Sequence, residues 1–412
     1  MRPLRVHSAA RLAMTGGLGL GLRPRVAHLW ACVEAAVAPM VGPAAPASIT
    51  SRTGARCGHW FVSTDDPLGA AGAGLEATLL DAEACLAHRF GMLGTGDRQW
   101  GDRLDWHRDI VSGRVWPLRY HKRLRFDLSG VVGSDVKVPW ELSRFQHLLP
   151  LIQAYIACRE PRYGHAAIDL IKEWIADNPP CYGVNWTCAM EVAIRACNWF
   201  WARWALRGQP AWSDEFEEEF LRNLWHHGHY IETNLEDAGG VRTNHYLADI
   251  VGLLFIGIMV PDLPDAERWK ELGRRELSSS MADMVYPDGM SFENSTGYHR
   301  LLLELFACSA ILCARNSVVL PTKFWERLEL MFGVIKDCCR PDGRIPMVGD
   351  ADDGRLFPFT GVSSWDRWDF GYLLALGAVM FHRHDFKAAA GDSTLAVRWL
   401  LGKQGLRQWE AL

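Results

Sequence analysis

From about Asp105 onward the apolar residues recur at three- and four-residue spacing, with almost no strand-type alternation. Between Pro139 and Ala157, Leu142, Phe145, Leu148, Leu149, Ile152 and Ile156 share one face, which predicts a single helix. Further helices are predicted over Tyr163–Asp177, Trp186–Leu206 and from Ser213, as a cap, to Leu235. Others follow near Asn244–Val260, Asp265–Tyr286, Ser295–Asn316, Thr322–Arg340, Trp365–Phe381 and Thr394–Leu401. The joining loops are mostly short, so successive helices are expected to be antiparallel neighbours.

Polar clusters punctuate this array at a regular interval. Val138 to Arg144, with Trp140 and Glu141, opens one helix. Asn185-Trp186-Thr187, leading into Glu191 and Arg195, opens the next but one. Thr243-Asn244-His245-Tyr246 opens the next but one again, and so does Ser295-Thr296-Gly297-Tyr298-His299-Arg300. Asp350 to Arg355 follows one further helix. Alternate helices of an up-and-down array point the same way, so these clusters are expected at one rim. The predicted fold is all-α, an incomplete (α/α) toroid of antiparallel helical hairpins with its cleft at that rim.

Composition narrows the partners. The 412 residues are 49% hydrophobic and 22% charged, with a net charge of −4, so there is no global basic field and nucleic acid is not an expected partner. The apolar run Ile250–Val260 is too short to span a bilayer, and no transmembrane segment is expected. The 11 Cys show no zinc-type or disulfide-type spacing and read as free thiols; no metal or cofactor is expected. Of 19 Trp and 17 Phe, most are expected in the core; Trp140 and Trp186, near the rim, are candidates for sugar stacking, with core packing as their ordinary alternative. Residues 1–60, rich in Arg, Ala and Gly, form a poorly defined segment ahead of the domain, and are a poor secretory signal.

The clustered groups suit proton abstraction beside a carboxylate. The C5 proton of a uronic acid is weakly acidic because the adjacent carboxylate already carries charge. β-Elimination needs that charge neutralised, a base at C5 and an acid at the leaving O4. Asn244 can donate to the carboxylate, and His245 can assist or take a proton. Tyr298, with Arg300 or a protonated His299 nearby, can act as phenolate base and then as acid. Each residue also has an ordinary reading. Asn244 can be a helix cap, His245 and His299 interior histidines, and Tyr298 core. Glu191 and Arg195 stand at i, i+4 and are expected as a partly buried pair shaping the cleft; Arg144 with Glu141 has the same ambiguity. The Gly-flanked Asp350, Asp352 and Asp353 do not fit an EF-hand.

At these residues the chain resembles the heparinase II/III-like polysaccharide lyases. The matching stretches are Asp105 to Asp109, Asp135 to Phe145, Gly183 to Trp199, Ile345 to Asp350 and the strings around Asn244 and Tyr298. The resemblance implies a toroid over residues 61–402 and, after a 403–412 tail, a β-sandwich that this chain does not include. It implies β-elimination on an anionic uronate polysaccharide, without a redox cofactor, in the periplasm, whereas the free thiols and weak signal point to the cytoplasm as the alternative. By resemblance Asn244 neutralises the carboxylate, Tyr298 is the acid/base and His245 a further site residue. Tyr246, His299, Arg300, Trp140, Arg144, Trp186, Glu191, Arg195, Glu293 and Asp350 bind substrate or support the site. A separate β-sandwich domain or chain is the implied partner. Two other readings remain: a toroid glycoside hydrolase using Glu293 with Asp350 or Asp352, and a polysaccharide-binding module without catalysis.

Overall fold

The computed structural model describes residues 45–46, 49, 56–63, 75–126, 133–237, 239–350, 354–360 and 366–412. Among these are thirteen α-helices and one two-residue hairpin, Arg89–Phe90 with Arg98–Gln99. The helices are α1 Leu75–Leu86, α2 Lys137–Ser143, α3 Leu148–Cys158, α4 Pro161–Asp177, α5 Ala189–Leu206, α6 Asp214–Thr233 and α7 Asn244–Met259. They continue as α8 Ala266–Met284, α9 Thr296–Arg315, α10 Thr322–Cys338, α11 Gly371–Phe381, α12 His384–Ala390 and α13 Leu395–Ala411.

Two layers alternate along the chain. Helices α3, α5, α7 and α9 pack successively on one another, and α4, α6, α8 and α10 cover them from outside. The sequence explains which helix goes where. Outer helices such as α4 carry one apolar stripe, whereas α5, α7 and α9 are apolar almost all round and are buried on every side. Inner helices approach closely: a Cβ on Gly252 of α7 would lie 2.6 Å from the Ala193 Cβ of α5. Trp106, Trp174, Trp186, Trp199, Trp201 and Trp225 fill the core. This is the all-α, incomplete toroid architecture.

The predicted helix over Pro139–Ala157 is two helices, α2 and α3. Phe145, left-handed at φ 62°, turns the chain between them and stacks on Trp106. The Trp365–Phe381 helix starts at Gly371, and residues 361–365 lie outside the described set. The 403–412 tail is helical: α13 resumes after a break at Gly402. Most of the 1–60 segment lies outside the described residues, but its end is core. Gly58 N–H donates to Met259 O, and Trp60 packs edge-on against Trp201. A helix long and apolar enough to cross a membrane is present after all, α9, but 89% of its apolar window is buried within the fold. The ten cysteines among the described residues are free.

Candidate active site

Helices α7 and α9 each expose one residue of their first turn. Every residue of α7 is buried except His245. On α9, Tyr298 is the one residue not buried before the last turn. The rim is therefore defined by which side chains two core helices leave uncovered. The alternate-helix argument is met by direct contacts. Cys188, capping α5, meets His245 at the start of α7, and Glu293, ahead of α9, meets Asn244.

Asn244 is the first helical residue of α7, not its cap; Thr243 precedes it without a side-chain cap bond. Its N–H donates to Glu293 Oε1 at 2.9 Å, and its Nδ2 donates to Glu293 Oε2 at 3.0 Å. A carboxylate therefore stands at the positive end of the helix. It also fixes the amide with Nδ2 toward both Glu293 oxygens, the second contact being 3.3 Å to Oε1.

His245 Nδ1 lies 3.1 Å from Glu236 Oε1 and 3.7 Å from Cys188 Sγ. Burial opposes the imidazolium, but the Glu236 bond and charge, helped by Glu191, outweigh it and raise the pKa. Burial likewise works against the Glu236 carboxylate, yet His245 and the Met190 N–H, at 2.8 Å, hold its pKa down. One turn along α7, Asp249 accepts the Glu236 N–H at 2.8 Å. Burial and then Glu236 push the Asp249 carboxyl well above the carboxylate range.

Tyr298 O–H donates to Asp350 Oδ2 at 3.1 Å, and Ser295 caps α9 by accepting the Tyr298 N–H. Ser295 Oγ also donates to Asp350 O, tying the acidic loop to the same helix start. Asp352 and Asp353 lie outside the described residues.

Several expected site residues are core. His299 is buried; its Nδ1 accepts the Ser291 N–H and its Nε2 donates to Met331 O, and burial lowers its pKa to about 4. Arg300 is buried, donates to Arg367 O and sits over the Phe370 ring. Neither is the cation near Tyr298 that the sequence suggested: both follow Tyr298 on α9 but point into the packing. Trp186 is fully buried over Arg195, so it is no sugar platform. Trp140 is half-buried, its indole N–H donating to Val184 O.

The expected Glu191–Arg195 pair does not form. Glu191 instead takes Arg144 in a two-bond fork at 2.6 and 2.7 Å, and Glu141 closes on the same guanidinium. Arg195 donates from Nε to His227 Nε2 at 2.9 Å, with Trp174 beneath it. Burial, then the Arg195 charge, holds His227 neutral. These groups brace the rim from behind. Tyr246 is buried, its hydroxyl donating to Glu276 while Arg242 lies over its ring. Beside it a cavity of about 500 Å³ is lined by Asp237, Arg242, Ser279, Asp283 and Phe292.

Glu236 and Cys188 were missed by sequence reasoning. They lie 48 residues apart and carry no local pattern; only the fold brings them to His245.

The heparinase II/III N-terminus family matches residues 75–357. A heparin-sulfate lyase of Pedobacter heparinus is 24% identical over 295 residues, covering 69% of this chain and 41% of its own length. Another heparin-sulfate lyase, from Bacteroides thetaiotaomicron, is 25% identical over 223 residues, covering 51% of this chain and 31% of the relative. The chain thus spans under half the length of these relatives. Among solved structures, a heparan sulfate lyase from Pedobacter heparinus aligns over 81% of this chain and 49% of that one, at TM-score 0.55 and 21% identity. A heparinase III structure aligns over 77% of this chain and 47% of its own, at TM-score 0.58 and 19% identity. With the matched region covering most of the helical array, the chain belongs to the heparinase II/III N-terminus family.

Proposed function

We propose that this chain carries the toroid side of a polysaccharide lyase acting on heparin- or heparan-type uronate polymers by β-elimination. The observation that carries the reading is the placement of His245 and Tyr298. They are the first-turn residues that two otherwise buried neighbouring helices leave open, with Asn244 beside one and Asp350 against the other. The named relatives, heparin-sulfate lyases, support the substrate class.

The chemistry follows from the partners. His245, whose imidazolium form Glu236 favours, and the Asn244 side-chain amide neutralise the uronate carboxylate and then the enolate that forms from it. Tyr298 passes its phenol proton to Asp350 and takes the C5 proton. It then gives that proton to the departing O4, and Asp350 returns the borrowed one. In this reading His245, rather than Arg300 or His299, supplies positive charge at the rim. In the hydrolase reading Glu293 and Asp350 would flank a glycosidic bond, but each is engaged by Asn244 or Tyr298.

The family resemblance further implies a β-sandwich facing this rim, within a longer chain or as a separate one, and a periplasmic location suited to a polymer substrate. Fractionation of source cells tests the location. The function is tested by incubating the protein with heparin, heparan sulfate, alginate and hyaluronan, following ultraviolet absorbance of the new C4=C5 double bond. Absorbance that rises with heparin-type polymers and is lost in Tyr298→Phe is expected. Cleavage without absorbance would sink the proposal.

A further inference from the structure

Cys188, Glu236 and His245 meet with ligand atoms all within 4.8 Å of one another. Sγ of Cys188 is 3.7 Å from Glu236 Oε1 and 3.7 Å from His245 Nδ1, and that nitrogen is 3.1 Å from the same Oε1. Zinc bonds of about 2.3 Å to sulfur and about 2.0–2.2 Å to nitrogen or oxygen, at tetrahedral angles, give ligand separations of about 3.3–3.6 Å. The three observed edges bracket that range. The triangle already has nearly the size that a tetrahedral ion imposes.

The geometry points to a divalent metal site of the zinc class at Cys188, Glu236 and His245, with an open fourth position on the rim. Charge supports it: a thiolate and a carboxylate together neutralise a dication. The outer contacts are of the kind that fix ligands. Glu236 is held by the Met190 N–H on one carboxylate oxygen and by Asp249 at its own backbone N–H. Cys188 is buried, whereas the His245 side chain is 42% exposed, so an ion enters from the rim. Metal takes the Nδ1 side of the ring and leaves Nε2 on the opposite side. Binding displaces the Cys188 thiol proton and the proton on His245 Nδ1 to solvent, so loading is favoured as pH rises. The fourth ligand is water until an anionic oxygen replaces it. The site shares His245 with the elimination reading, so a bound ion would take the place of the imidazolium charge at the rim.

The test titrates the metal-free protein with cobalt(II) and then zinc(II). One equivalent of cobalt is expected to give thiolate-to-metal charge-transfer absorbance in the near ultraviolet with tetrahedral visible bands, and zinc to bleach both. Cys188→Ser is expected to lose the charge transfer, although the other cysteines remain. Glu236→Gln, which leaves Cys188 unchanged, is expected to weaken binding about 10-fold or more. Far-ultraviolet circular dichroism checks that both variants fold, and Glu236→Gln serves if Cys188→Ser does not. Absence of charge transfer in the wild type, or equal binding in folded variants, overturns the site. Because the readout is metal binding, its failure is separable from failure of the lyase reading.

Discussion

Glu293 Oε2 accepts from the Asn244 side-chain amide at 3.0 Å while Oε1 accepts that residue's backbone N–H at 2.9 Å. One carboxylate thus closes the start of α7 and orients the amide assigned to the substrate carboxylate. Asn244→Ala is expected to lower kcat by about 10²–10³-fold, as loss of a charge-stabilising donor does. Glu293→Gln is expected to cost less, since its amide oxygen still accepts. Steady-state kinetics on heparan sulfate checks the order.

Tyr298→Phe removes the hydroxyl that reaches Asp350 and leaves the half-exposed ring in place. A loss of about 10²–10⁴-fold in kcat is expected for a general acid/base group, with unchanged thermal unfolding. A large drop in Tm would instead mark Tyr298 as packing.

The His245–Glu236 pair makes a pH prediction. In the folded protein His245 titrates above its ordinary 6.5, so its stabilisation is complete below 6.5 and is lost as pH rises through the raised value. Glu236 titrates below its ordinary 4.5, so its stabilisation is complete above 4.5 and is lost as pH falls through the lowered value. The pair contributes most between those two pH values. Glu236→Gln is expected to lower the His245 pKa, measured by NMR titration of the metal-free protein against His245→Asn for assignment. An unchanged His245 pKa would refute the coupling.

His299 obeys the opposite sign. It is neutral in the fold to about pH 4 but ordinarily protonates near 6.5, so its burial destabilises the fold progressively as pH falls below 6.5. His299→Gln is expected to flatten the acid limb of stability against pH and leave the pH profile of kcat in place. A shifted kcat profile would return His299 to the site.

Arg144 is about 5% exposed at its side chain and is shared by Glu141 and Glu191. Arg144→Met leaves two buried carboxylates without their cation and is expected to cost about 3–5 kcal/mol by denaturant unfolding. Gly252→Ala, forcing α5 from α7, is expected to cost about 1–3 kcal/mol.

The helical period and the alternation of polar openings made the layers and the rim legible in the sequence. That reading depends only on spacing and direction, so the helix starts that carry Asn244, His245 and Tyr298 could be located without any side-chain contact. Which neighbour of each faced inward was not legible. His299 and Arg300 follow Tyr298 directly, yet the helical turn carries them into core packed by Phe370 and Met331. The i, i+4 spacing suggested a Glu191–Arg195 bond, but buried Glu191 found a closer guanidinium in Arg144, forty-seven residues away. The bend at Phe145 left the apolar stripe unbroken, so the α2–α3 division carried no mark in the period. Glu236 and Cys188 were hidden for the same reason as the Glu191–Arg144 pairing: tertiary packing, not spacing along one helix, sets these contacts.

The measurement that bears most directly on the account is the mass of the products released from heparan sulfate. Elimination at the rim of α7 and α9 predicts that fragments with a newly made non-reducing end carry an unsaturated uronate there and are lighter by one water than the hydrolytic ones, and that Tyr298→Phe releases none. Saturated uronates at the newly made non-reducing ends, or polymer left intact by the folded wild-type protein, would contradict it.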